Sequence, residues 1–163
     1  MSAVAYDQLR VLYRTLLVFA TVGVVILCVG LVQFVYFERP GEETGVKAHI
    51  VGVYEYDAAT HSTVGSDRSE FPRSAVFAAV VDWSALPSNL VVDARWFDTF
   101  GSMRGEAGPA HPPDLQSHNV VPVEVPPDLH FVLPGRYTFV VERVAGGVPV
   151  EVLARRFIVV DRS

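Results

Sequence analysis

The sequence predicts a single membrane-spanning α-helix followed by an all-β antiparallel sandwich of about seven strands. Three observations predict it. Residues 15–37 run for 23 positions without a charge. Beyond residue 47, Val, Phe, Tyr and Trp recur in short alternating runs. Gly and Pro break those runs, and no long helical pattern follows the first one.

The apolar run comes first. A helix of that length reaches roughly 34 Å, enough for a hydrocarbon core of about 30 Å. Tyr13 and Arg14 stand before it, and Tyr36, Phe37, Glu38 and Arg39 mark its exit. Aromatic rings favour the headgroup level, where one edge is wet. The run exceeds a signal-peptide core, and the exit YFERPGEE offers no small-residue cleavage site. The segment reads as an uncleaved signal anchor, with Cys28 a small apolar packing residue. Arg10 and Arg14 precede it, so the N-terminus is expected in the cytoplasm of a bacterial inner membrane and the C-terminal domain outside. The expected divisions are a cytoplasmic segment 1–14, a transmembrane helix 15–37, a linker 38–46 and an extracytoplasmic domain 47–163. Twelve of the thirteen basic residues are Arg, which by composition points to a bacterium with a GC-rich genome.

Composition excludes several functions. Half of the residues are apolar and 19% are charged, which excludes a disordered chain. Net charge is −5 overall, and residues 38–163 carry eleven basic and seventeen acidic side chains. No nucleic-acid footprint is expected. The single cysteine excludes an intramolecular disulfide and any multi-cysteine metal site. The second subunit of haem–copper oxidases also joins an anchor to a β-sandwich. Its copper site needs thiolates, and the C-terminal domain here has no cysteine.

Within residues 47–163 the strands follow in order. Ala48, Ile50, Gly52, Tyr54 and Tyr56 make one face of a first strand. Residues 74–83 are apolar on both faces, as in a covered strand. Leu90, Val92, Ala94 and Trp96 point inward, against Asp93 and Arg95. Val121, Val123 and Val125 alternate next, then Tyr137, Phe139 and Val141. Residues 150–160 form the last strand, with a slip at Ala154 and Arg155 that predicts a bulge. Gly146-Gly147 predicts the hairpin before it. The entry Leu133-Pro134-Gly135-Arg136-Tyr137 resembles the Pro-Gly-x-Tyr strand entry of immunoglobulin-like and fibronectin-III-like sandwiches. That resemblance implies a two-sheet architecture and carries no specific activity.

Chemistry is sparse. His49, His61, His111, His118 and His130 form no compact ligand pair, and His111, Asp114 and His118 share only a loop. Asp93 and Asp98 differ by an odd number, so they should face opposite sides of their strand. No nucleophile elbow or phosphate loop occurs. No enzyme activity, cofactor or metal is expected, and a small-molecule ligand is not expected.

Two features point to protein partners. Ala20, Gly23, Leu27, Gly30 and Phe34 fall on one face of the helix, and their small members would let a second helix approach. Two long connections, residues 57–72 and 99–118, are candidate contact loops; the second has room for a short strand near residues 102–105, and Phe100, Met103 and Leu115 are its apolar anchors. The expected role is a non-catalytic accessory subunit of a larger membrane complex, respiratory or photosynthetic. Its helix would pack among other membrane subunits in the bilayer, and its sandwich would brace the periplasmic side. The alternative is a membrane-tethered module that binds a peptide, glycan or envelope protein through its loops.

Overall fold

The structure, a computed structural model, describes residues 3–37, 44–127 and 129–161, with side chains described from residue 10 to 32 in the helix. Two compact units divide the chain near residue 39. The first is one helix, α1 (Ala3–Phe37). It begins twelve residues before the apolar run, because nothing in residues 3–14 breaks a helix. Its apolar stretch, Arg10–Val32, has a mean hydropathy of 2.8. The hydroxyls of Thr15 and Thr21 donate to the carbonyls of Val11 and Leu17, at 3.0 and 2.8 Å. Both polar side chains are thus satisfied within the helix, as an apolar surrounding requires.

The second unit is predominantly β. Its strands are β1 (His49–Asp57), β2 (Ser62–Val64), β3 (Glu70–Phe71), β4 (Phe77–Asp82), β5 (Val92–Phe97), β6 (Met103–Ala110), β7 (Val120–Pro122), β8 (Gly135–Ala145) and β9 (Val148–Val160). A short turn of helix, α2 (Pro112–Leu115), lies between β6 and β7. One sheet has the order β2-β1-β4-β7, and the other β3-β9-β8-β5-β6. Every pairing is antiparallel except β3 with β9. The second sheet is therefore mixed, which corrects the expectation of a purely antiparallel domain. The strand count also exceeds seven, because residues 57–72 contain β2 and β3, while β6 begins where a short strand is expected and runs on to Ala110.

The two sheets pack face to face. Val53, Phe77, Ala79, Val81 and Val121 of one meet Ala94, Trp96, Tyr137, Phe139, Val141 and Ile158 of the other in a single buried cluster. Trp96 sits at its centre. Its ring lies 5.1 Å from Phe77, edge-on, and 4.8 Å from Phe139. Its indole N–H crosses between the sheets and donates to the Val121 carbonyl at 2.9 Å. Phe77 also meets Tyr137 edge-on at 5.4 Å. Edge-on pairs place ring hydrogens against π faces, which adds about 0.5–1.5 kcal/mol per pair to burial alone.

Bulges decide which residues face in. In β1 the register against β4 shifts between Ile50 and Gly52. The inward face therefore passes from Ile50 to Val53, which corrects the regular alternation expected through Gly52 and Tyr54. The Tyr54 ring lies across Gly52, where an added Cβ would stand 2.6 Å from its hydroxyl. In β9 the expected slip falls at Leu153, which is left over between the pairs Val141–Ala154 and Glu142–Val152. At the next hairpin Gly146 and Gly147 both take positive φ, 59° and 77°, as a two-residue turn between twisted strands requires.

One edge is closed by a polar link. Asp67 accepts from the Val53 amide at 2.8 Å and from Arg156 at 2.8 and 2.9 Å. Burial raises the pKa of Asp67, but that amide and the Arg156 guanidinium outweigh it and hold it below the ordinary carboxylate value. A depressed folded pKa gives stability above the unfolded value that is lost as pH falls through the folded one.

Two outcomes are expected. Trp96→Phe should cost about 2–4 kcal/mol, because it opens a cavity and orphans the Val121 carbonyl; urea denaturation measures it, and a cost under about 1 kcal/mol contradicts the central role. Acidification from about pH 5 to 3 should lower the urea midpoint, and Asp67→Asn should make that drop smaller.

Candidate functional site: a braced hairpin tip

The turn joining β5 to β6, residues 98–102, is the most distinctive surface of the domain. Asp98 organises it from within. Its Oδ1 accepts from the amides of Phe100 and Ser102, both at 2.9 Å. Its Oδ2 accepts from the Arg104 Nε at 2.8 Å. Two backbone bonds close the same turn, Asp98 to Ser102 and Gly101 to Asp98, each 3.0 Å. Gly101 supplies the positive φ, 77°. A carboxylate that satisfies two turn amides and one guanidinium leaves the loop little freedom.

A second brace comes from β8. The Thr99 hydroxyl accepts from the Arg136 amide at 2.8 Å and donates to the Arg136 carbonyl at 3.0 Å. Gly135 makes room for it, since a Cβ there would stand 2.2 Å from the Thr99 Oγ1 and its φ is +140°. Tyr137, one turn of strand away, is buried. Burial raises its pKa first, with the nearby Asp98 charge adding to it.

The braced turn holds an apolar side chain out. Phe100 is 82% exposed and Met103 50%. On the outer face of the five-stranded sheet a row of side chains leads away from the tip, exposed at its ends and covered in its middle, where Phe97 is 5% and Thr138 9% exposed. Phe157, Thr138, Phe97 and Met103 pair successively across β9, β8, β5 and β6, so they share one row and one face. Phe157 and Val159 remain 38% and 50% exposed. The Arg136 guanidinium lies 3.8 Å from the Phe157 ring centre and that of Arg155 4.9 Å. Both carry their charge over an aromatic face. The next row, Arg155, Val140, Arg95 and Glu106, is mostly charged. Beyond it Asp93 is fully buried and paired with Arg95. Burial raises the Asp93 pKa more than Arg95 lowers it.

This arrangement has the chemistry of a contact surface. Asp93 and Asp98 point to opposite faces and bind different arginines. His111 Nδ1 lies 2.7 Å from the Leu90 carbonyl, His118 beside Ser117, and His61 beside Tyr56. Among the described residues, no group of three or more His, Cys, Asp or Glu side chains converges on a metal-sized space. Both tryptophans are buried, and Trp83 donates to the His118 carbonyl at 3.2 Å. Neither offers a flat exposed platform.

The expected contact residues separate. Phe100 lies in the tip and Met103 at the start of β6, within the short strand expected there. Leu115 is a correction: it is 4% exposed and belongs to the core cluster, because α2 turns its apolar face inward. On α1, Ala20, Gly23, Leu27 and Gly30 fall within an arc of about 80° at 100° per residue. Apart from chain neighbours and the helix's own backbone, no described heavy atom lies within 4 Å of where a Cβ would stand on Gly23 or Gly30. The Phe34 side chain lies outside the described residues. Sequence reasoning missed Asp98 as the organiser of the tip and Phe157 as the exposed aromatic at the other end of the row. The available signal was apolar residues at both parities of residues 157–160, which marks a strand covered on both faces.

Comparison with protein-family models, with curated proteins and with solved structures finds no match to this chain.

Asp98→Ala should release the turn. Hydrogen exchange should speed up at least tenfold at the Phe100 and Ser102 amides, with a stability loss of about 1–3 kcal/mol. Unchanged exchange at those two amides would show that Asp98 does not hold the tip.

Proposed function

We propose that this chain is a non-catalytic accessory subunit of a larger bacterial membrane assembly, respiratory or photosynthetic in type. Its helix anchors it and packs among other membrane helices. Its β domain lies on the periplasmic side and contacts a protein partner through the 98–102 tip. The observation that carries this reading is the braced, exposed Phe100. An ordered loop that presents an apolar side chain pays little entropy when it docks, which is the usual basis of a preorganised contact. The small-residue face of α1 supports the same reading, since close helix approach is how membrane helices associate. The net negative charge of residues 38–163 speaks against nucleic acid and against anionic headgroups as the target. A tethered module that binds an envelope peptide or protein is the second reading, favoured by the same tip because its bracing lies wholly within the β domain.

The domain is further inferred to be immunoglobulin-like. Read as A, B and E, strands β1, β4 and β7 have the order of one immunoglobulin sheet, and β9, β8, β5 and β6 have the G-F-C-C′ order of the other. Trp96 then stands on strand C. Phe77 and Phe139 flank it on strands B and F, where antibody domains place their inter-sheet disulfide. Tyr137 lies two residues before Phe139, the spacing of a tyrosine corner. An aromatic pair in place of the disulfide suits a domain whose sequence holds no cysteine beyond the helix.

Gentle extraction of native membranes, native-gel separation and mass spectrometry of co-migrating chains test the function. The chain should migrate with a defined multi-subunit assembly. Gly23→Leu with Gly30→Leu should weaken co-migration, and Phe100→Ser should weaken it without changing the urea midpoint. Migration as a free monomer or small homo-oligomer would contradict the subunit reading and favour the tethered module.

A further inference from the structure

Arg136 stands apart from the other arginines of its sheet. Tyr137 beside it faces the core, so Arg136 faces out from the start of β8, where it is exposed. Its neighbours across the strands are Val159 of β9 and Thr99 of the tip. Arg95, Arg104, Arg143 and Arg156 each meet a carboxylate, of Asp93, Asp98, Glu151 and Asp67 in turn. Among the described residues no ion pair joins Arg136 to a carboxylate. Asp98, the acid of the tip, is buried and taken by two amides and Arg104. Glu70 of β3 shares the outer face but pairs with Val159, so a whole strand separates it from Arg136. The Arg136 guanidinium instead lies over the Phe157 ring, 3.8 Å from its centre. Stacking covers one face of a guanidinium and leaves the N–H groups along its edge to other partners.

We propose that Arg136 binds a carboxylate of the protein that docks at the tip, an Asp or Glu side chain beside the partner's pocket for Phe100. This rests on the reading of the tip as the contact surface. The edge of a guanidinium presents parallel N–H donors that match the two oxygens of a carboxylate. Phe157 holds the plane of that fork, so less side-chain freedom is lost on binding. Thr99 bonds to both the N–H and the carbonyl of Arg136, so the residue before Phe100 and the cation share one frame. The aromatic anchor then supplies affinity and the charge supplies register. A lipid phosphate would suit the same fork. Residues 38–163, however, carry seventeen acidic against eleven basic side chains, and an anionic membrane surface repels such a domain as a whole. One carboxylate in a protein contact acts at short range, because exposed charges beyond about 8–10 Å are screened. The charge pattern therefore favours a protein carboxylate.

Arg136 can be changed without releasing the tip, because Thr99 bonds to its backbone and not to its side chain. The test is photo-crosslinking from residue 100 of the full-length chain in native membranes, read as the yield of a discrete protein product. Arg136→Glu should lower that yield about tenfold or more, Arg136→Gln less, and Arg136→Lys least of the three. Urea midpoints followed by tryptophan fluorescence should stay close to wild type in all three variants. Raising the salt from about 0.1 M to about 1 M should lower the yield more for wild type than for Arg136→Gln. Equal yields from wild type and Arg136→Glu would overturn the carboxylate partner and leave the tip as the contact surface. A loss of yield that merely follows a fallen urea midpoint would overturn it as well. No discrete product from wild type, or a product with lipid in place of protein, would overturn this proposal and the tip reading together.

Discussion

The β domain depends on the placement of one side chain, Trp96. At the centre of the core it joins the two sheets by more than contact, as Asp67 does at the edge. The indole ring fills the space between Phe77 and Phe139, and its N–H reaches the backbone of the opposite sheet at Val121. A hydrogen bond from one inner face to the other adds a directional link to the close packing of the sheets. Trp96 sits two residues before Asp98. The strand that is anchored at its centre by the indole is therefore also the strand whose end presents the tip. Stability and presentation are coupled through six residues of β5.

Preorganisation is the physical theme of the surface. An exposed phenylalanine in a mobile loop is ordinary. Here Asp98, Thr99, Gly101 and Gly135 all serve to hold the turn that carries Phe100. Beside it a row of side chains crosses four strands, with two guanidinium groups against the Phe157 ring. Aromatic anchors and arginines over apolar surface are the residue types that concentrate binding energy at protein interfaces. Both carboxylates of β5 and its turn are already engaged, Asp93 with Arg95 and Asp98 with Arg104.

Much of this was legible in the residues. Strict alternation at Leu90–Trp96 and at Tyr137–Val141 placed the inner face of β5 and β8, because period two leaves no other register. Gly146-Gly147 placed the long hairpin for the same kind of reason. The misreadings have separate local causes. The bulge in β1, unlike that in β9, leaves no slip in the side-chain pattern, so the face of β1 reads straight through the shift at Gly52. β2 and β3 are too short to show a period, and β6 beyond residue 105 is written in Gly, Ala and Pro. Leu115 looked like an exposed anchor because a four-residue helical turn has no readable amphipathic pattern. The tip was found by the exposure of its apolar residues, while the role of Asp98 was hidden. Its partners are backbone amides of the turn, and a turn of this kind depends on geometry that composition does not carry.

The most direct test of the account is a photo-reactive amino acid placed at residue 100 in the full-length chain and activated in intact native membranes. The same probe at Val64, an exposed apolar position on the other sheet, serves as the reference. The account predicts one discrete crosslinked protein from position 100 and little or none from position 64. Equal, diffuse crosslinking from both positions, or a discrete product from position 64 alone, would contradict the claim that the braced tip is the surface through which this protein meets its partner.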